Sequence, residues 1–518
     1  MIIDLENKDY KTNFSEFDLI FIGAGTAGIV CAKEAFLNNP KLKIALLESG
    51  SLKRNKKIDQ FDCDQSLDNK INFDKSINRF FGGKSNSWDG RIVDMDKSET
   101  DDWPISNQEF NYWKDKAYKL LGIDQNILKV EDQIKENLSN DFFKDLFEED
   151  FNVSNAFFAK ETKRFLIDTF NEFEPTHNIS IFLHANVCEL IKSKEDNKIE
   201  KVLVKSSLTQ KKFYFKSHKF ICSNGGIEVV RLLRSSNKYS KHGISNSSRL
   251  VGRNFSGHPR GIHGIIKLNK PIKLKSTILF GASRSIQNVR TEIGIKLASK
   301  ILKEKNIQNS RICFEPIQFA LHNKFFYKIK KIMSYQRDPL NEVGFLEKGY
   351  IEGFLLYCIY KFKKLLNLES ETKFIFLRNY CASSLNPKSQ IIIDSEKDNI
   401  GLFKAKVNWM INDSDKKSLI FFHENLANLL KEKKIGELKS NLSLGKEWKI
   451  WNGSSHFMST TVMNKDPKLG VVDSDCRSHD NKNLFIIGPS VFPNPSYSNP
   501  MLAIVAISMR LGNFLAKL

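Results

Sequence analysis

The sequence is short of paired cysteines, of proline and of long apolar runs, and each shortage closes off a class of protein. Its eight cysteines, Cys31, Cys63, Cys188, Cys222, Cys313, Cys358, Cys381 and Cys476, are too far apart for a C-x-x-C redox or metal motif. Buried, reduced thiols and no metal site are expected. With 27 glycines and 13 prolines in 518 residues and no G-x-y period, a collagen-like chain is excluded, and no repeat of solenoid length is visible. The longest strongly apolar run, Phe354–Tyr360, is far below the roughly 20 residues that cross a bilayer. The polar, acidic start Met1-Ile2-Ile3-Asp4-Leu5-Glu6 lacks the basic and apolar regions of a secretory signal, so a cytoplasmic protein is expected.

What is present is a globular composition, 41% hydrophobic and 27% charged, which rules out a disordered tail protein. The charge is lopsided: 80 Lys and Arg against 60 Asp and Glu give +20 and raise nucleic acid, anionic membrane or acidic substrate as partners. It is also segregated. Residues 93–150 hold 16 acids and 7 bases, a net of −9, while residues 200–260 hold 13 bases and 2 acids, a net of +11. Within the basic part, residues 201–205 and 211–216 alternate as a hairpin and 219–222 reads as a further strand. Its lysines read as a solvated surface rather than a nucleic-acid site, since no recognition module accompanies them.

Two regions carry chemistry. Phe17–Ile22 reads as a strand, Gly23-Ala24-Gly25-Thr26-Ala27-Gly28 as a tight turn, Ile29–Leu37 as a helix and Ile44–Leu47 as a second strand ending in Glu48. This spacing lets a backbone approach a pyrophosphate at a helix N-terminus while the acid meets a ribose hydroxyl; it points to a dinucleotide without separating NAD from FAD. The loop Phe81-Gly82-Gly83-Lys84-Ser85-Asn86-Ser87-Trp88-Asp89-Gly90-Arg91 is no triphosphate-binding loop, because Asn78 stands where the first glycine is required. Near the C-terminus are Ser455-His456-Phe457-Met458-Ser459, Gly488-Pro489-Ser490 and Ser498-Asn499-Pro500-Met501. There Asn499 reads as the N-cap of a mostly apolar helix over residues 500–515, whose free N–H groups suit a negatively charged ligand edge.

Taken in order with Asn224-Gly225-Gly226, Val251-Gly252-Arg253-Asn254, His258-Pro259 and Asn386-Pro387-Lys388-Ser389, these segments resemble the glucose-methanol-choline (GMC) oxidoreductases. The resemblance implies an α/β fold: a discontinuous Rossmann-like FAD-binding domain with a substrate domain on a mainly antiparallel sheet. The expected boundaries are 15–93, 161–260 and 451–518 for the FAD domain, 94–160 for a helical, acidic connecting region and 261–450 for the substrate domain. It implies a catalytic pair, His456 as the base and Asn499 holding the substrate oxygen, with hydride passing to flavin N5 and then to oxygen or another acceptor. It also implies FAD contacts at Gly23, Gly25, Thr26, Ala27, Gly28, Glu48, Gly82, Gly83, Ser85, Asn86, Ser87, Val187, Gly488, Pro500 and Met501. Ser87 stands where members with covalent flavin carry histidine, so dissociable FAD is expected; Ser459 replaces a usual glycine. The expected substrate is a small alcohol, sugar or polyol. An FAD-retaining lyase and a basic binding module are the alternatives. The basic, aromatic segment 324–366 is expected to pack as amphipathic helices, with peripheral membrane contact as its second reading.

Overall fold

A computed structural model describes residues 1–7, 16–55, 58, 77–123, 127–147, 150–159, 162, 165, 178–193, 195–238, 240–280, 284–286, 288–318, 362, 371–445 and 456–518. Cys63, Cys358 and all of the segment 324–366 except Phe362 lie outside them. Two large sheets organise the chain, one mostly parallel and one antiparallel.

The first sheet grows from apolar runs that sit between two covering layers. β2 (Phe17–Ile22) and β3 (Ile44–Leu47) are buried almost throughout, the pattern of parallel strands shielded on both faces. They pair in parallel, and β6 (Ile179–Leu183) and β1 (Ile2–Asp4) extend the sheet beyond β3. On the other side of β2 lies β9 (Lys212–Cys222), followed in parallel by β18 (Leu484–Ile486). Helix α1 (Thr26–Asn38) connects β2 to β3 and packs against the C-terminal helix, residues Met501–Leu515. Their approach is close at Gly512, where a Cβ would come within 2.6 Å of the Cys31 carbonyl oxygen.

The sequence reading divides β9 into two strands, and the structure makes it one. Its first half pairs antiparallel with β8 (Ile199–Ser206), which pairs with β7 (Ala185–Lys192). In that half Phe213 and Phe215 are buried while Lys212, Tyr214 and Lys216 face outward. Phe220, Ile221 and Cys222 are then wholly buried, because the strand has entered the parallel sheet. The lysines punctuate the first half without ending the strand, since alternate positions reach water from a one-sided sheet.

The second sheet runs β17 (Gly436–Ser440), β10 (Arg260–Lys273), β14 (Glu371–Cys381), β13 (Ser310–Gln318), β12 (Val289–Leu297), β5 (Phe151–Phe158), β4 (Arg91–Val93), with β11 (Arg284–Ile286) on β12. All these pairings are antiparallel. A separate ribbon joins β15 (Gln390–Lys397) to β16 (Phe403–Asn408). The acidic stretch after Val93 holds helices α2 (Asn107–Leu120) and α3 (Ile127–Ser139), α2 being capped by the Ser106 side chain, which accepts the Glu109 N–H. It ends in a strand, β5, where Phe157 and Phe158 are buried against neighbouring strands. Further helices are α4 (Gly225–Ser235) against β7, α5 (Asp413–Glu432) against β17, and the C-terminal helix, called α6. Among the described residues no helix is long and apolar enough to cross a membrane, and six cysteines are buried and free.

Candidate functional site

The glycine turn behaves as its spacing predicts. Gly23 has φ +99°, a left-handed conformation that side chains resist, and its turn delivers the chain to the N-terminus of α1. A Cβ on Gly28 would meet the Gly23 carbonyl oxygen at 2.3 Å and the Ser223 Oγ at 2.6 Å, whereas one on Gly25 would meet nothing within 4 Å. The outer glycines therefore permit the turn and its packing, and the middle one leaves bare backbone facing open space. Gly25 is the N-cap and contributes no side-chain acceptor, so the first N–H groups of α1 keep their capacity for an anion.

Glu48 stands at the end of β3, 5% exposed. Its Oε2 accepts the Ala24 N–H at 3.0 Å and its Oε1 accepts the Gly50 N–H at 2.9 Å and the Ser49 hydroxyl at 3.2 Å. Burial pushes its pKa up, and these bonds and Arg79 oppose the shift. The carboxylate is thus fixed in direction, with lone pairs left to accept a ligand hydroxyl.

A cavity of about 470 Å³ joins this turn to the C-terminal blocks. Gly23, Gly25, Thr26, Ala27, Glu48, Gly83, Ser87 and Val187 line it, as do His456, Gly488, Asn499, Pro500 and Met501. Four residues of the sequence-based set stand behind the wall. Gly28 packs on Gly23 and Ser223. The Gly82 N–H donates to the Ala24 carbonyl at 2.8 Å; the Ser85 Oγ donates to Gly82 O at 2.8 Å and accepts the Phe165 N–H at 3.1 Å. Asn86 donates to the Phe81 and Gly83 carbonyls, each at 3.0 Å. These groups shape the loop that presents Gly83, Lys84 and Ser87.

One local reading is corrected. Asn499 is not the N-cap of α6: Pro500 occupies that position in helical conformation, with its carbonyl accepting the Ile504 N–H at 2.9 Å. Proline's fixed φ suits the helix start, which shifts the boundary by one residue and sets Asn499 on the cavity wall.

His456 shares the cavity with residues that the sequence reading left outside its candidate set. Its ring lies edge-on to that of His258, with centroids 4.8 Å apart at 83°. Arg260, Tyr380, Arg91, Tyr497 and Lys84 line the same space. Burial holds His456 well below the ordinary imidazole range, and the nearby His258, Arg260 and Lys84 push the same way. The ring is therefore neutral around neutrality. Its Nδ1 is buried and makes no hydrogen bond among the described residues. Burial also lowers Lys84 to about 8 and, with Arg260, lowers His258 to about 3. The sequence offered two signals for this cluster, the loop that carries Lys84 and Arg91 and the His258-Pro259 pair just before β10.

Two buried ion networks brace this space. Arg231, fully buried on α4, donates through Nη1 to both Glu228 oxygens at 3.1 and 2.9 Å, through Nε to the Phe403 carbonyl at 2.9 Å, and through Nη2 to Asp398. Glu228 also pairs with Arg79 at 3.1 Å, and both line the cavity. In the second sheet Glu292 accepts from Arg311 at 2.8 Å and Arg378 at 2.9 Å and lies 3.5 Å from Arg91.

Ser459 keeps a glycine-like backbone, φ +64°, although it carries a side chain, and its buried hydroxyl has no hydrogen-bond partner among the described residues. Ser459→Gly removes both penalties and leaves only a small void. We expect a net gain of about 1 kcal/mol in unfolding free energy, after the added chain entropy of glycine, read as a higher denaturant midpoint.

Buried histidines also set an acid limit to stability. Burial lowers His258 and His423 to about 3 and His263 to about 4, from 6.5. Below pH 6.5 the unfolded chain takes up protons at these sites that the folded chain refuses. Stability therefore falls as pH drops through the window from 6.5 to about 3, and none of the three contributes above it. Urea midpoints measured between pH 7 and pH 5 should decline steadily, and His423→Gln should flatten the slope.

Residues 386–508 match the family described as GMC oxidoreductase. The chain is 24% identical over 302 residues to the fructose dehydrogenase large subunit of Gluconobacter japonicus, covering 56% of this chain and 46% of that one. It thus spans about half the length of the curated relative it matches. Among solved structures it resembles a formate oxidase from Aspergillus oryzae RIB40 (TM-score 0.55, 14% identity, 98% of this chain and 99% of that one). It also resembles pyridoxine 4-oxidase from Mesorbium loti (TM-score 0.56, 13% identity, 96% and 98%).

Proposed function

We propose that the chain, whose residues 386–508 match the GMC oxidoreductase family, is an FAD-dependent oxidoreductase of that family acting on the CH–OH group of a small alcohol, sugar or polyol. The observation that carries the reading is one cavity lined by a dinucleotide-type turn with a fixed acid, a neutral, buried histidine and an asparagine.

The residues present fit FAD. Glu48 would accept a ribose hydroxyl, and the bare Gly25 backbone and α1 N-terminus would hold the pyrophosphate. Gly83, Ser87, Val187 and Gly488 would wall the ring, with the start of α6 at Pro500 and Met501 turned toward its electron-rich edge. The dinucleotide would be dissociable, since Ser87 offers no imidazole for a covalent link. Bound FAD would supply the two-electron acceptor, to be reoxidised by oxygen or another acceptor.

The chain's own groups supply the rest. With Nδ1 buried, Nε2 is the His456 nitrogen that meets the cavity, and as a neutral base it accepts the substrate hydroxyl proton. The Asn499 amide holds the same oxygen and orients the carbinol carbon. The lining of Tyr497, Phe457 and Trp88 restricts water around the developing alkoxide.

The experiment is direct. Purified protein should be yellow, acid precipitation should leave free FAD in the supernatant, and an alcohol substrate should bleach the flavin anaerobically. Colourless protein that takes up no FAD would overturn the reading; FAD that no alcohol reduces would point instead to a lyase.

A further inference from the structure

We propose that Glu99 is a positioning residue for the reaction: its carboxylate braces the turn Ser496–Asn499 and so fixes the Asn499 amide that receives the substrate oxygen. The inference rests on the alcohol-oxidising reading above and adds to it a residue that does not line the cavity.

Asn499 does not place its own side chain. It lines the cavity, and among the described residues its amide makes no hydrogen bond, so its direction is set by the backbone that carries it. On one side that backbone is tied by Pro500 at the start of α6. On the other side Ser496, Tyr497 and Ser498 are all buried. The Ser496 hydroxyl donates to Glu99 Oε1 at 2.8 Å, and its oxygen accepts the Ser498 N–H at 2.9 Å, which closes the turn one residue before Asn499. The Ser498 hydroxyl donates to the Asp94 carbonyl at 2.8 Å, and the Tyr497 hydroxyl lies 3.2 Å from that of Ser154 on β5.

Glu99 serves two donors with two oxygens. Its Oε2 accepts the Asp96 N–H at 2.8 Å, the return bond of a capping box on the short helix Lys97–Thr100, and its Oε1 is left for Ser496. A carboxylate accepts from both at once, whereas a neutral acid carries a proton on one oxygen and gives up one of them. A proton on Oε1 would be donated to the Ser496 oxygen, where it competes with the Ser498 N–H and turns the serine's own hydrogen away. The brace is therefore complete only while Glu99 is ionised. Three charged or titratable groups act on it. Asp96, on the same segment, opposes the carboxylate, and is itself paired with Lys296 of β12 and accepts from Asn309 at 2.6 Å. Lys296 favours the carboxylate, and Tyr497 stays neutral because burial pushes its hydroxyl well up. Burial, then Asp96, raises the Glu99 carboxyl to about 7, against the bonds from Asp96 and Ser496 and the field of Lys296. A capping box takes glutamine in this place as readily as glutamate, so the cap alone does not call for an acid.

The test uses flavin-loaded enzyme and Glu99→Gln, read by anaerobic bleaching with glycerol, glucose and benzyl alcohol. In the parent the bleaching rate should rise about fivefold to tenfold from pH 6 to pH 8, with its midpoint at about 7. Glu99→Gln should stay at the low rate throughout, and in that variant His456 should add no limb of its own. Ser496→Ala removes the other end of the bond and should behave alike. Repeated in an Asn499→Ala background, Glu99→Gln should cost less than about twofold, because its effect passes through the missing amide. A parent profile flat between pH 6 and pH 8, a limb that survives in Glu99→Gln, or a full loss on top of Asn499→Ala would overturn the proposal. A second arm needs no turnover: amide hydrogen exchange at pH 8, read by mass spectrometry. Peptides covering residues 496–499 should exchange about tenfold faster in Glu99→Gln, with the rest of the chain unchanged. Unchanged exchange at 496–499 would also overturn the proposal. If none of the three alcohols bleaches the parent flavin while the exchange result holds, the oxidation reading fails for them and the brace stands.

Discussion

In a His456→Ala protein FAD should remain bound while anaerobic bleaching by substrate slows at least about a hundredfold, the usual contribution of a positioned base. The two effects separate because the dinucleotide-type contacts come from β2, α1 and β3, whereas His456 reaches the cavity from the segment before β18. The pH dependence should be as informative as the rate. Since His456 is held well below 6.5, its protonation should not impose an acid limb on bleaching near neutrality. An ordinary, solvated imidazole would impose one at about 6.5. His456→Gln keeps a hydrogen-bonding side chain but accepts no proton, so it should be nearly as slow as alanine. Bleaching that is unchanged in either variant would remove His456 from the chemistry.

The largest expected loss of stability follows from Arg231→Met. The arginine is fully buried and compensates two carboxylates at once, Glu228 and Asp398. The Asp398 Oδ1 also accepts the Ile400 and Leu402 N–H groups at 3.1 and 2.9 Å, so this carboxylate organises the loop leading to β16. Removing the cation strands buried negative charge, a change that destabilises by about 3–5 kcal/mol. A sharply lower urea midpoint should result, and flavin should leave at lower urea than the main unfolding step, because Glu228 and Ile400 line the cavity. The double variant Arg231→Met with Asp398→Asn should recover part of the loss, since one stranded charge is then absent. A single variant as stable as the parent would show that neither carboxylate depends on Arg231.

How much of this was legible beforehand depended on the range over which residues act. The strand, turn, helix and strand from Phe17 to Leu47 were readable because their cues are local: an apolar run, glycines at fixed offsets, and an acid at the right distance. Glu48 and His456 could be singled out in the same way, each standing inside a short block. Arg260 and Tyr380 could not, because they become neighbours only through the register of two strands more than a hundred residues apart in sequence. β5 was hidden by the acidic composition around it, although its buried aromatic residues follow the sheet rather than the helices before it. β9 was divided in reading because its burial changes from alternating to continuous partway along. A residue pattern reports the environment of a strand, and one strand here has two environments.

The placement of β18 has a consequence for biosynthesis. The parallel sheet is assembled from residues 2–47, 179–222 and 484–486, and β18 is the last to arrive, closing over the far edge of β9. Until then that part of β9 presents unpaired N–H and C=O groups, and the strand edge is open to any extended segment that meets it. His456, Asn499 and the start of α6 also come from this late stretch. On the ribosome, therefore, the turn that would grip a nucleotide exists well before the wall that would complete its pocket. Dinucleotide arriving early would find half a site, and a chaperone that shields the β9 edge would protect the nascent chain during the same interval.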